Sequence, residues 1–224
     1  MTVLARDAGV HEQILTRRNQ RYTIAIPDSY TGAGATPLIV VLHWGGIVTP
    51  FYGKSILAYL AEPALRELGA IVVAPDCQHG DWTNPQSESE INALLEHLGD
   101  NYNVAANKTV LTGYSKGGMG TWYLAARNQT RFAAAIPMAG DPQPDSADVG
   151  WEIPLYIIHG RRDEIVPYRQ TAQVVDQLRE KGIAVEFVLL DGVTHYETDR
   201  FVQPLRAAVP WIRKVWAKKQ MMEK

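Results

Sequence analysis

Gly113-Tyr114-Ser115-Lys116-Gly117 matches the pattern G-x-S-x-G, and the segments on either side of it are of opposite kinds. The apolar run 109–112 before it predicts a buried strand, and residues 117–127 after it carry the spacing of a helix. A serine on a sharp strand-to-helix turn, a nucleophile elbow, holds its hydroxyl away from the sheet, and the flanking glycines keep side chains out of the turn. Ser115 is therefore the candidate nucleophile.

The same alternation of strand and helix extends along the chain in both directions. Apolar or alternating runs predict strands at 21–26, 37–43, 70–74, 109–112, 132–136, 153–158 and 185–190. Helical spacing covers 55–68, 87–98, 117–127, 168–181 and 204–218, with a kink or restart expected at Pro63 and a capping box at Ser87. This order predicts a single α/β domain over residues 1–224. Its sheet should be mostly parallel and twisted, of about seven or eight strands, with helices on both faces.

Composition argues against several classes of partner. The 224 residues carry a formal net charge of -2, which favours neither nucleic acid nor an anionic membrane as a partner. Cys77 is the only cysteine, so neither an intramolecular disulfide nor a cysteine metal cluster is expected. No apolar run approaches the ~20 residues of a membrane span, and no signal peptide is visible, so the expected location is cytoplasmic.

A serine needs a base to take its proton and an acid to orient that base. In enzymes that carry this elbow, the acid and then the histidine follow the serine along the chain. Of six histidines only His159 and His195 follow Ser115. His159 ends a predicted buried strand, whereas His195 lies in a loop after the last strand, where parallel sheets gather catalytic groups. His195 is therefore the predicted base.

The acid should lie between Ser115 and His195, just past a strand. Asp163 follows the strand predicted at 153–158 and is the preferred candidate. Asp141, after the strand predicted at 132–136, remains the rival. Glu164, next to Asp163, is expected to point elsewhere as a surface charge.

An oxyanion hole requires two backbone N–H groups near the developing negative charge. One is expected from Lys116, directly after the nucleophile, and the other from the loop His43-Trp44-Gly45-Gly46 after the third strand. Trp44 is the preferred second donor, with Gly45 next.

Four segments together resemble a known family. They are His43-Trp-Gly-Gly46, Gly113-Tyr-Ser-Lys-Gly-Gly118, His159-Gly-Arg-Arg-Asp-Glu-Ile-Val-Pro167 and His195. In this order they are similar to the single-domain α/β-hydrolases, across roughly residues 22–216. The nearest branches are the phospholipase/carboxylesterase, dienelactone-hydrolase-like and polyhydroxybutyrate-depolymerase/feruloyl-esterase-like groups.

This resemblance implies a serine carboxylesterase that forms an acyl-enzyme on small or soluble esters, with no metal and no cofactor. Two features depart from the relatives. Dienelactone hydrolases proper use a cysteine nucleophile where this chain has Ser115, and Lys116 places a positive charge beside that nucleophile.

The substrate cleft should be open, because residues 141–152 are too short for a cap domain. Four aromatic residues could wall it, namely Trp82, Tyr114, Trp151 and Tyr196. Whether the chain forms a homodimer is left open.

Two other hypotheses compete with an esterase. A peptidase, amidase or thioesterase could use the same three residues, although the prolyl-oligopeptidase type usually adds a propeller domain for which this sequence has no room. A non-catalytic ligand-binding protein on the same fold typically lacks one of the three residues, whereas all three can be placed here. Covalent labelling of Ser115 separates the enzymes from the binding protein.

Overall fold

A computed structural model describes residues 4–222, and within them eight strands form one sheet in the order β1-β2-β4-β3-β5-β6-β7-β8. The two pairs β1–β2 and β2–β4 are antiparallel, and all the other neighbours run parallel. The predicted mostly parallel α/β sheet is therefore confirmed. The strands are β1 (Gly9–Leu15), β2 (Gln20–Ile26), β3 (Thr36–Leu42), β4 (Ile71–Pro75), β5 (Val104–Tyr114), β6 (Ala134–Met138), β7 (Leu155–Gly160) and β8 (Val185–Leu190).

The strands with the most continuous apolar runs differ in burial from the one strand that the sequence misses. Strands β4, β6 and β7 are buried along their whole length, as their continuous apolar runs imply. The missed strand β1 lies at the edge of the sheet, and only Gln13 and Leu15 in it are buried. With so little apolar surface to bury, β1 has only a weak hydrophobic pattern.

Helices cover both faces of the sheet, as predicted. Helices α3 (Pro85–Asn101), α4 (Lys116–Arg127) and α5 (Tyr168–Glu180) contribute to the apolar core on one face. The other face is covered by α1 (Gly53–Ile56), α2 (Glu62–Leu65), α6 (Val202–Ala207) and α7 (Val209–Met222). None of the helices within residues 4–222 is both long and apolar enough to cross a membrane.

Helix boundaries differ from the predictions where caps or proline intervene. Between α1 and α2 the chain forms a π-helical turn, Leu57–Ala61, just before Pro63, which has no N–H to donate in a regular helix. Helix α3 begins three residues earlier than the capping box predicts, because the side chain of Asn84 accepts the N–H of Ser87 at 2.9 Å.

The carboxyl ends of the parallel strands carry the loops that follow β3, β4, β5, β6, β7 and β8. Residues 139–154, after β6, contain no helix or strand. This segment between β6 and β7 therefore forms no cap of helices or strands, as expected.

Candidate active site

Ser115 lies on a strained turn between β5 and α4. Its φ of 57° and ψ of -119° are unusual for a residue other than glycine. Its N–H donates to the carbonyl oxygen of Met138 at the end of β6, at 3.0 Å. A Cβ atom on Gly117 would overlap the carbonyl oxygen of Leu42, so the turn requires glycine there. The sequence motif therefore adopts the predicted strand–turn–helix geometry.

The structure brings Ser115, His195 and Asp163 together in a chain of hydrogen bonds. Ser115 Oγ lies 2.8 Å from His195 Nε2, and His195 Nδ1 lies 2.8 Å from Asp163 Oδ2. A carboxylate can only accept, so Nδ1 carries the proton and Nε2 is the acceptor for the serine hydroxyl. This tautomer is the one a histidine needs to act as a base toward Ser115.

Asp163 is held as a carboxylate by several donors. Its Oδ1 accepts the backbone N–H groups of Ile165 at 3.1 Å and Val166 at 2.7 Å. Burial opposes ionisation, but hydrogen bonds from His159, His195 and Val166 outweigh it and hold the pKa of Asp163 well below its usual range. The acid partner of His195 is thus negatively charged across the neutral pH range.

Asp141, the rival for this position, has a different environment. Burial raises its pKa, and its Oδ1 is buried with no hydrogen-bond partner within the described residues. The nearby charges that act on it are those of His159 and Asp163. His159 is itself fully buried, with Nε2 donating to the carbonyl oxygen of Val166 at 2.8 Å. Of the two candidate acids, the structure places Asp163 against His195.

The loop after β3 has its carbonyl oxygens bonded inside the protein. Trp82 Nε1 donates to the carbonyl oxygen of His43 at 3.0 Å, and His43 Nδ1 donates to that of Trp44 at 2.7 Å. Tyr52 donates to the carbonyl oxygen of Gly45 at 3.5 Å. In residues 4–222, no hydrogen bond uses the N–H of Trp44 or of Gly45. These N–H groups are therefore available to an incoming oxygen.

The imidazole of His43 keeps this loop in place in its neutral form. Its Nε2 accepts the backbone N–H of Cys77 at 3.0 Å, which leaves the ring proton on Nδ1 for Trp44. Burial lowers the pKa of His43, opposed by the bond to Trp44 and the charge of Asp76. A neutral ring suits both bonds.

Lys116 occupies the first position of α4, where a backbone N–H has no acceptor within the helix. Its side chain packs against Gly45: a Cβ atom added to that glycine would lie 2.9 Å from Lys116 Cδ. The N–H groups predicted for the oxyanion hole, those of Trp44 and Lys116, therefore belong to two segments in direct contact.

The four aromatic residues expected to wall the cleft divide into two kinds. Trp82, Tyr114 and Trp151 are buried, and each donates its polar hydrogen to a backbone carbonyl. These three pack in the core instead of lining a cleft, so that expectation is wrong for them. Tyr196 is 75% exposed, with its ring edge-on to His195, and is the one of the four that stays a candidate for the wall of the cleft.

Two contacts to the backbone of His195 were not expected from the sequence. Glu164 is exposed, as expected of a surface charge, but it does not point elsewhere, because its Oε2 accepts the N–H of His195 at 3.1 Å. The hydroxyl of Tyr114 donates to the carbonyl oxygen of His195 at 2.7 Å. The one feature of the sequence that could have suggested these contacts is that Tyr114 directly precedes Ser115 and Glu164 directly follows Asp163.

Comparison with known proteins adds a family to this geometry. The model of the dienelactone hydrolase family matches residues 22–207. A probable feruloyl esterase C of Aspergillus niger is 28% identical over 165 residues, which cover 71% of this chain and 59% of that protein. Feruloyl esterase C of Emericella nidulans is 30% identical over 153 residues, covering 66% of this chain and 56% of that protein. The chain thus spans less than three fifths of the length of these two relatives.

Among solved structures, a thermostable esterase superposes with a TM-score of 0.78 at 22% sequence identity. The match covers 93% of this chain and 63% of that one. At this identity the likeness establishes the fold, and it agrees with the sheet order and the helix layers described above.

Proposed function

Because this chain belongs to the dienelactone hydrolase family, we propose that it hydrolyses carboxylic esters with Ser115 as the nucleophile. The observation that carries the proposal is the hydrogen-bonded chain from Ser115 Oγ through the His195 ring to Asp163, on a strained strand-to-helix turn. Such a chain is the arrangement that turns a weakly nucleophilic hydroxyl into an attacking group.

In the first half of the reaction, Ser115 Oγ attacks the ester carbonyl carbon while its proton passes to His195 Nε2. The imidazolium is stabilised by the Asp163 carboxylate, which keeps its hydrogen bond to Nδ1. The tetrahedral intermediate then collapses, the bond to the alcohol oxygen breaks, and His195 returns the proton to the leaving alcohol. The acyl group remains on Ser115 as an ester.

In the second half, a water molecule gives its proton to His195 Nε2 as its oxygen attacks the acyl-enzyme. Collapse of the second tetrahedral intermediate releases the acid and restores the Ser115 hydroxyl. In both halves the negative charge on the former carbonyl oxygen is stabilised by the N–H groups of Trp44 and Lys116. Preorganised donors of this kind are worth roughly 10²- to 10³-fold in turnover each.

For the substrate, we propose an ester whose acyl group is aromatic, of the feruloyl kind that the names of its relatives specify. Support comes from the exposed apolar side chains on the loops around Ser115. Tyr196 adjoins His195, and Ile165 and Ile47 follow β7 and β3 with 52% and 89% of their surfaces exposed. A flat, apolar acyl group that covered such side chains would bury apolar surface, which favours binding.

The test is hydrolysis of p-nitrophenyl acetate and methyl ferulate by the wild-type chain and by Ser115→Ala. We expect the variant to lose activity by at least ~10³-fold while its thermal unfolding stays cooperative. Ser29→Ala, at an exposed position before β3, is the matched control and should retain full activity. Equal hydrolysis by Ser115→Ala would overturn the proposal.

A fluorophosphonate probe distinguishes an enzyme from a non-catalytic ligand-binding protein. The proposal requires a single covalent adduct on Ser115, found by mass spectrometry of the digested protein and missing from Ser115→Ala. A wild-type protein that binds esters without forming the adduct would be a binding protein. A higher kcat/KM for methyl ferulate than for methyl acetate, which has the same leaving alcohol, supports the aromatic acyl group, and the reverse order argues against it.

A further inference from the structure

We infer that Tyr114 and Glu164 are positioning residues that hold the backbone of His195 from both sides. This inference rests on the proposed function, since it concerns how the proposed base is kept in place. Glu164 accepts the N–H of His195 at 3.1 Å, and Tyr114 donates its hydroxyl to the carbonyl oxygen of the same residue at 2.7 Å.

These two contacts complete a set of four around one residue. The ring of His195 is bonded to Ser115 and Asp163, and its backbone is bonded to Tyr114 and Glu164. Each backbone partner is thus the chain neighbour of a ring partner. One strand end, that of β5, and one loop, that after β7, therefore set both the position of the imidazole and the orientation of the backbone that carries it.

The loop that carries His195 has little other regular structure to hold it. Residues 191–197 lie between β8 and a short 3-10 turn, Thr198–Phe201, and belong to no helix or strand. Without fixed backbone angles, the Cα atom of His195 and the direction of its Cα–Cβ bond would change, and Nε2 would move away from Ser115. A misplacement of about 1 Å at such a site can cost roughly 10²-fold in rate.

Tyr114 is well placed to act as a rigid donor. Its side chain is 2% exposed, and its ring packs edge-on against Phe201 with centroids 4.8 Å apart. Burial raises the pKa of Tyr114 above its usual range, although a hydrogen bond from Thr198 opposes the shift. The hydroxyl therefore keeps its proton and remains a donor to the carbonyl oxygen of His195.

Glu164 acts as an acceptor, and glutamine can replace it in that role. The side-chain oxygen of Gln accepts an N–H as a carboxylate does, without the charge. The pair Glu164→Ala and Glu164→Gln therefore separates the hydrogen bond from the negative charge. Tyr114→Phe removes one hydroxyl and leaves the ring packing in place.

The experiment measures kcat and KM for p-nitrophenyl acetate in these three variants. We expect Tyr114→Phe and Glu164→Ala to lower kcat by roughly 10- to 100-fold with little change in KM, and Glu164→Gln to recover most of the loss. Tyr156→Phe, at a buried tyrosine on β7, and Glu186→Ala, at an exposed position on β8, are the matched controls and should keep the wild-type kcat. Wild-type kcat in both Tyr114→Phe and Glu164→Ala, or a Gln variant as slow as the Ala variant, would overturn the inference.

A second readout does not depend on turnover. The Nδ1 proton of His195, in its short bond to Asp163, gives a low-field proton NMR signal when the ring is held still. We expect this signal to broaden in Tyr114→Phe and Glu164→Ala and to stay sharp in both controls. Failure of the proposed function would appear as an inactive wild-type protein, whereas an unchanged low-field signal in both variants would refute the positioning role alone.

Discussion

Trp82 Nε1 donates a hydrogen bond of 3.0 Å to the carbonyl oxygen of His43, from beneath the loop proposed to bind the oxyanion. Replacing Trp82 with Phe removes that donor while keeping an aromatic ring. We expect stability to fall by about 1–3 kcal/mol, because the carbonyl of His43 loses its partner. We also expect kcat to fall by roughly 10-fold, because the loop with Trp44 loses one of the hydrogen bonds that fix it.

The control for this prediction is Trp151→Phe. Trp151 is buried like Trp82, and its Nε1 donates to a backbone carbonyl in the same way, that of Ser146 at 2.8 Å. It should lose a comparable amount of stability on urea unfolding and keep the wild-type kcat. Equal losses of kcat in the two variants would mean that the effect of Trp82 is general destabilisation.

Asp163→Asn should lower kcat/KM by roughly 10³- to 10⁴-fold, because an amide favours the wrong tautomer of the histidine. Asp141→Asn is the matched variant at the rival position, and we expect it to retain most of the activity, since Asp163 is the carboxylate bonded to His195. Steady-state kinetics on one ester decide between them. A larger loss for Asp141→Asn would reassign the acid.

The same carboxylate predicts a pH dependence of stability. An unfolded aspartate titrates near ~3.9, and the pKa of Asp163 in the folded protein lies well below its usual range. Its stabilisation is therefore complete above about pH 5 and is lost as the pH falls toward the folded-state pKa. Urea unfolding at a series of acidic pH values should give a flatter curve for Asp163→Asn than for the wild type, and parallel curves would contradict this.

Gly117→Ala should destabilise the protein by at least ~2 kcal/mol, because the added methyl group would overlap the backbone of β3 at Leu42. Gly99 in α3 provides the control, since a Cβ there would meet nothing within 4 Å. Gly99→Ala should be neutral or stabilising by up to about 1 kcal/mol. Thermal unfolding of the two variants tests the contrast, which fails if both shift in the same direction.

Cys77 should resist thiol reagents in the native protein. It is fully buried, and burial raises its pKa to about 11, so the reactive thiolate is scarce at pH 8. Labelling with a maleimide should be slow in buffer and complete in guanidinium chloride. Rapid labelling of the folded chain would show that the segment 76–82 opens readily.

Much of the sheet and of the site could be predicted because the signals are local. The buried strands have continuous apolar runs, and the G-x-S-x-G turn requires its own glycines. Strand β1 could not be predicted in the same way, since only Gln13 and Leu15 in it are buried and it has no continuous apolar run. The start of α3 is set by Asn84-Pro85, a cap followed by a proline at the first helical position, which outweighs the capping-box pattern at Ser87.

The directions of side chains were the harder problem. Tyr114 ends β5, and Trp82 and Trp151 lie in loops. The sequence places all three near a cleft, but burial of a large ring favours the core. Glu164 next to Asp163 was expected to point away, yet it reaches the N–H of His195 from a neighbouring loop. A contact between residues 31 positions apart produces no periodic pattern in the sequence from which it could be predicted.

The loop His43-Trp44-Gly45 contributes to the proposed chemistry through its N–H groups, and every amino acid except proline has one. A substitution at Trp44 or Lys116 by any residue except proline therefore keeps the N–H group that stabilises charge, even where it alters the packing of the side chain. Substitutions at these two positions and at Tyr196 should alter which esters are preferred, while the catalytic residues Ser115, His195 and Asp163 stay unchanged. For a protein engineer, those three positions are the natural place to build a library for new substrates.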